Sequence, residues 1–193
     1  QYMTYDRIKH LATYPNKGTI TRNDKKLVSK KGYYRDDIKV LYFRKDVVGT
    51  MPDYKIVSDT LVYDTENEMM YFYGPTNIYN NENTLIGNYG WYNTTTELAY
   101  LDRRATLINK EHSVTADTMY YNKKTSYAKA LSDVVIVDTT NKAILKGEYA
   151  ELWKNLGKCM MTNNLRSIYY EYSDTLFATA DTMYVYFDTI TND

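Results

Sequence analysis

One cysteine, three prolines, two histidines and no surplus of either charge leave several protein classes without their raw material. Cys159 has no partner for an internal disulfide, which excludes a disulfide scaffold, and a lone thiol of this kind is expected to pack as a small buried hydrophobe. Lys plus Arg equals Asp plus Glu at 24 each, with no block of like charge, so the electrostatic footprint of a nucleic-acid binder is absent. No segment approaches the roughly 18 apolar residues of a membrane helix. The opening Gln1-Tyr2-Met3-Thr4-Tyr5-Asp6 lacks a basic segment followed by an apolar run, so no signal peptide is read here.

The chemistry of catalysis is equally thin. Nucleophilic catalysis needs a Ser, Cys or Thr beside a base and an oxyanion hole, and no Gly-rich elbow surrounds any serine. His10 and His112 have no Cys, His or carboxylate partner at a ligand spacing, so no metal site is read. The pairs Asp59-Thr60, Asp117-Thr118, Asp174-Thr175 and Asp181-Thr182 recur, but a calcium ladder needs several carboxylates per turn and here one stands per unit, replaced by Lys30 and Asn88 in two of them. Bulge or turn chemistry is the expectation for these pairs. Neither an enzyme nor a cofactor is expected.

What the chain does contain is a period. Tyr5, Tyr34, Tyr63, Tyr92 and Tyr121 stand 29 residues apart without a slip. A polar column follows at Asp6, Arg35, Asp64, Asn93 and Asn122, an apolar or small one at Tyr14, Phe43, Phe72, Leu101 and Ala130, and another at Ile20, Gly49, Ile78, Leu107 and Ile136. Five residues before the later tyrosines lie the small Ser29, Ser58, Gly87 and Ala116, continued by Gly147 and Ala180 after spacings of 31 and 33. Runs of β-branched and aromatic residues alternate with polar or Gly/Pro punctuation, and no stretch sustains a helical stripe, so each unit is expected to be short antiparallel strands joined by tight turns. Side-chain alternation breaks phase between the small column and the tyrosines; a β-bulge near Asp59, Asn88 and Asp117 would return both to one face. With no linker, the chain reads as one continuous domain over residues 1–193. It opens in mid-repeat, which is expected of a fragment of a longer array.

The segments Val57-Ser58-Asp59-Thr60-Leu61-Val62-Tyr63-Asp64, Thr115-Ala116-Asp117-Thr118-Met119-Tyr120-Tyr121-Asn122 and Thr179-Ala180-Asp181-Thr182-Met183-Tyr184 resemble the recurrent strand of the OstA-like, or LptA-like, lipopolysaccharide-transport family. Gly74-Pro75-Thr76-Asn77-Ile78 and Leu131-Ser132-Asp133-Val134-Val135-Ile136 resemble its second strand, although its Gly-Asn-Val element is altered in every unit. The Tyr-rich style looks most like the longer OstA-like proteins of Bacteroidetes-type Gram-negative bacteria. The resemblance implies an all-β fold, a repetitive antiparallel β-jellyroll opened into a V, in which an apolar groove holds the acyl chains of lipid A. It further implies a periplasmic or outer-membrane-associated, non-catalytic protein that carries or bridges lipopolysaccharide. Partners would be other lipopolysaccharide-transport proteins, or a head-to-tail copy, joined through open edge strands. The expected lining is Phe43, Phe72, Leu101, Ile78, Leu107, Ile136, Tyr63, Tyr92 and Tyr121, with Arg44, Lys45, Arg103 and Arg104 as head-group contacts. The competing expectation is a structural β-repeat scaffold or adhesin stalk with a filled interior and no lipid.

Overall fold

A computed structural model describes residues 2–22, 24–171 and 174–186, and its contacts divide the chain into two compact units, Gln1–Thr96 and Glu97–Asp193. The first unit is an antiparallel sheet of nine strands: β1 Thr4–Asp6, β2 Leu11–Tyr14, β3 Gly18–Arg22, β4 Lys25–Ser29, β5 Lys31–Arg35, β6 Val40–Thr50, β7 Lys55–Asp64, β8 Met69–Tyr79 and β9 Thr84–Asn93. From β6 onward each strand pairs with the next, while β5 and β4 lie end to end against β6 and act as one interrupted strand. The second unit repeats the plan with β10 Leu98–Asp102, β11 Ala105–Ile108, β12 His112–Ala116, β13 Thr118–Asn122, β14 Tyr127–Asp138, β15 Ala143–Trp153, β16 Lys158–Tyr170 and β17 Thr175–Tyr186, with a short 3-10 turn at Lys154–Leu156. Here β13 and β12 lie end to end against β14, and β14 to β17 form a simple meander. The expected all-β class is the one observed, and the 29-residue period is one hairpin of two strands.

The turns explain the tyrosine and polar columns. Asp64 accepts backbone N–H bonds from Glu66 and Asn67, both at 3.0 Å, and Asn93 does the same for Thr95 and Thr96. These are Asx turns, in which a short side-chain oxygen stands in for a backbone carbonyl. Arg35 breaks the column, and there the turn is held by its ion pair with Asp37 instead. Four residues after each column position the chain goes left-handed, at His10, Lys39, Glu68, Glu97 and Ser126, with φ between 51° and 58°. That residue's carbonyl then accepts an N–H from the following turn: Asp36 to His10 at 3.0 Å, Thr65 to Lys39 at 3.0 Å, Thr94 to Glu68 at 2.9 Å, and in the second unit Lys123 to Glu97 at 3.1 Å. Successive hairpins are thus stitched at their turns as well as along their strands.

Midway along every hairpin the ladder slips. Lys45-Asp46, Gly74-Pro75, Arg103-Arg104 and Ser132-Asp133 each place two residues opposite one, and the φ of their first members is 62°, 87°, 60° and 60°. Asn163-Asn164 continues the series. The single residues facing these pairs are Asp59, Asn88, Asp117, Glu148 and Asp181. The phase break expected near Asp59, Asn88 and Asp117 is therefore real, but the extra residue belongs to the neighbouring strand. Its effect is the expected one: Ser58 and Tyr63, five residues apart, are both buried.

Candidate binding interior

The strands of the first unit alternate strictly on either side of the bulge row. Phe43, Leu61, Tyr63, Met70 and Phe72 point inward on the Asx-turn side, and Leu27, Val47, Met51 and Ile56 on the other. All nine belong to one buried cluster, against which Ile20, Leu41, Tyr54, Ile78 and Tyr92 pack. Tyr54, beside Met51 on the far side of the row, meets Tyr92 of the Asx-turn side edge-on with ring centroids 6.2 Å apart, so the sheet doubles back at the bulges, which sharpen twist and bend the strand where they fall. The unit is therefore a folded-over sheet whose two inner faces meet.

Polar groups inside are few and satisfied. The Ser58 and Thr76 hydroxyls lie 2.7 Å apart and reach the Thr60 and Gly74 carbonyls, and the Ser29 hydroxyl donates to the Lys31 carbonyl at 2.8 Å. Among the described residues no buried side-chain polar atom lacks a partner, so the interior between the leaves offers apolar surface and nothing that would anchor a polar group. The small column is a spacing device. A Cβ on Gly147 would stand 3.2 Å from both the Met161 side chain and the Thr162 carbonyl.

The residues expected to line a groove take inward positions of their own strands, Phe43, Tyr63, Phe72, Ile78 and Tyr92 in the first unit and Leu101, Leu107, Tyr121 and Ile136 in the second, with different degrees of cover. Phe43, Phe72, Leu101 and Tyr63 are buried; Ile78 and Tyr92 are partly covered at the border of the cluster. Leu107 and Ile136 are half-buried and align through Val114 into one cross-strand row that runs on to buried Leu145. Tyr121 is 39% exposed. In the Phe43 column the side chain shrinks along the chain, from Phe43 and Phe72 to Leu101 and Ala130. Inner-face residues that spacing alone does not single out are Val47, Leu61, Met70, Met119 and Met161; the signal for Leu61 is its position two residues before Tyr63, on the same side of the strand.

The four basic residues lie elsewhere. Arg44 alternates with buried Phe43 and so faces outward, its guanidinium 6.0 Å above the Tyr33 ring. Lys45, Arg103 and Arg104 occupy the bulge row itself and are exposed. Arg104 pairs with Asp117 at 3.2 Å and with the Asp133 carboxylate, clamping three strands where they bend. Asp59 and Asp117 thus act in the bulge, and Thr60 donates to the Asp59 carboxylate at 3.0 Å. His10 and His112 lie beside Asp36 and Asp138, at 2.8 and 3.3 Å, as turn-edge pairs. Burial pushes the Cys159 thiol up to about 11, which keeps it protonated and unreactive.

The last strand differs from the rest. β17 pairs with β16 along its length, yet nearly all of it is exposed, with Leu176 64% and Phe177 70% accessible. Its pairing with β16 runs from Lys158↔Tyr186 to Tyr170↔Thr175.

A family profile described as OstA-like protein matches residues 1–59 and again residues 56–117 of this chain. No curated protein matches. Among solved structures the chain is similar to LptH of Pseudomonas aeruginosa, described as the LptA-homologous periplasmic component of the conserved lipopolysaccharide transport device. The two share 17% identity over 66% of this chain and 86% of that one, with a TM-score of 0.47.

Proposed function

The chain belongs to the OstA-like protein family, and from that premise we propose that it is a periplasmic, non-catalytic protein that takes the acyl chains of lipopolysaccharide between the leaves of its folded sheet. The observation that carries this reading is the inner face itself: two apolar leaves, joined along a bulge row, with no buried polar group left to satisfy. Burying a methylene there contributes roughly 0.8 kcal/mol, so several acyl chains would bind firmly without any directional contact. The lining would comprise Phe43, Phe72, Leu101, Ile78, Leu107, Ile136, Tyr63, Tyr92 and Tyr121. Arg44, Lys45, Arg103 and Arg104, exposed along and beside the bulges, would meet phosphorylated head groups from outside the leaves.

Bridging follows from the sheet edge. The side chains of β17 are exposed along nearly its whole length, and pairing of a partner strand there, from another lipopolysaccharide-transport protein or a second copy, would extend the sheet and its interior together. One observation favours a second reading, a filled scaffold without ligand: Phe43, Val47, Ile56 and Leu61 are wholly inaccessible, so a guest must part the leaves. Native mass spectrometry with and without lipopolysaccharide, across a protein concentration series, separates the two. Stoichiometric lipid adducts support the carrier. Oligomers without adducts support the scaffold.

A further inference from the structure

Most of the 23 tyrosines are not in the core, and the outer face of the first unit shows where several of them go. On the Asx-turn side of the bulges, the residues that alternate with buried Phe43, Leu61 and Phe72 point away from the interior. Cross-strand register lines them up as Tyr33, Tyr42, Val62 and Tyr71, with Tyr73 beside Thr60 in the next row. Tyr33 and Tyr42 stack with centroids 4.3 Å apart and planes at 14°. For rings on adjacent strands, that geometry means they stand upright on the sheet. One face of Tyr42 is taken by Tyr33, and the other looks across Val62 toward Tyr71. These two walls are two strands apart, about 10 Å, and the depression between them is completed by Thr60, Asp64, Arg44 and Tyr73. Tyr73 is itself braced edge-on against Tyr89 at 5.0 Å. Burial, then the neighbouring Tyr89, Tyr71 and Tyr42 phenols, hold its own phenol above the usual range.

We propose that this outer slot binds a neutral oligosaccharide, one pyranose ring standing between Tyr42 and Tyr71. Two strand spacings, about 10 Å, separate Tyr42 from Tyr71 and leave room for one saturated ring with a contact layer on either side. Aliphatic C–H faces of the sugar meet the two tyrosine faces, and its hydroxyls find both donors and acceptors at Thr60, Asp64 and Arg44. Arg44 and Lys45 stand at the rim of the slot with Asp59 and Asp64, so charge of both signs borders it and neither sign lines the space between the two tyrosines. The open, shallow shape gives an acyl chain no cover. The slot shares Arg44 and Lys45 with the head-group contacts proposed above, but its walls, Tyr42 and Tyr71, and its floor, Val62, are not among the residues proposed to line the interior.

The test is a titration of the full chain with chitohexaose and with cellohexaose to millimolar concentration, followed by amide chemical shifts. Expected are shifts confined to the central residues of β6, β7 and β8. Tyr71→Ala, which removes a wall, and Val62→Tyr, which fills the slot with a strand-favouring residue, should each weaken binding at least about tenfold while the melting temperature holds. Lipopolysaccharide adducts in native mass spectrometry should be the same for Val62→Tyr as for the parent chain. Absence of shifts with both sugars, shifts that map elsewhere, or full binding by Val62→Tyr would overturn the assignment. Binding of phosphatidylglycerol vesicles through this face, with no response to sugar, would equally overturn it in favour of a membrane-facing surface.

Discussion

Replacing Phe72 with alanine tests how the interior is held together and what it can admit. Phe72 is 1% exposed, sits between Leu61 and Gly90 on neighbouring strands, and joins Phe43 and Met70 in the buried cluster. Gly90 supplies no side chain to collapse into the void, so the full penalty of a truncated phenylalanine applies, about 3–5 kcal/mol. A unit of roughly a hundred residues shifts its midpoint by about 4–8 °C per kcal/mol, so the first unit should melt at least about 10 °C lower by circular dichroism or calorimetry. Lipopolysaccharide should then protect the variant more than the parent, because methylenes can enter the vacated volume without parting the leaves. At a hundredfold excess over its dissociation constant, a ligand contributes about 2.7 kcal/mol. An unchanged midpoint for Phe72→Ala would refute the packed core. Equal protection of variant and parent would refute the placement of lipid between the leaves.

Three other outcomes follow from the backbone and the titrating groups. Lys39 holds φ at 56° in an exposed turn, and a left-handed conformation costs an ordinary residue about 1–2 kcal/mol against about 0.5–1 kcal/mol of lost freedom for glycine. Lys39→Gly should therefore raise the midpoint by a few degrees in a thermal melt, whereas Lys55→Gly, within β7, should lower it. On acidification, the ion pair with Arg35 holds the Asp37 carboxyl down to about 2, and Asn67 and the turn amides hold Asp64 below its usual range. Both folded values lie below the unfolded ones, so their contribution is present above about pH 4 and lost as the pH falls toward 2; a melt series across that window should show the decline, and Asp37→Asn should flatten it. Cys159, with its thiol pushed up to about 11, should react with iodoacetamide at pH 8 far more slowly in the folded chain than in urea, by mass spectrometry of the labelled protein.

Much of the strand plan is legible in the spacing because a hairpin repeat fixes side-chain chemistry at its turns. Asp64 and Asn93 recur because only a short oxygen-bearing side chain closes an Asx turn, and tyrosine precedes them where the strand runs into it. The bulges are less legible for a physical reason. Lys45-Asp46, Gly74-Pro75, Arg103-Arg104 and Ser132-Asp133 share no side-chain property; they share a backbone conformation imposed by the strands on either side. What the sequence does show is their shadow, the odd interval between Ser58 and Tyr63. The interior side of the site is readable at Phe43 and Phe72, whose neighbours are polar or aromatic on alternate positions. It is not readable at Tyr121, where an identical column position ends up well exposed, nor in the outer row, since alternation assigns Tyr42 and Tyr71 to one face without saying that they confront each other across Val62.

The carbonyls of the left-handed turn residues His10, Lys39, Glu68 and Glu97 each bind an amide of the turn one hairpin later, so at the turns each repeat is fastened to the next in a regular step. A unit of 29 codons carrying one such stitch is the step by which a gene for such a protein can lengthen or shorten. Each unit adds two strand widths, about 9–10 Å, to the span. Length then becomes a heritable quantity counted in whole steps, set by duplication of a unit rather than by change in any residue inside the sheet.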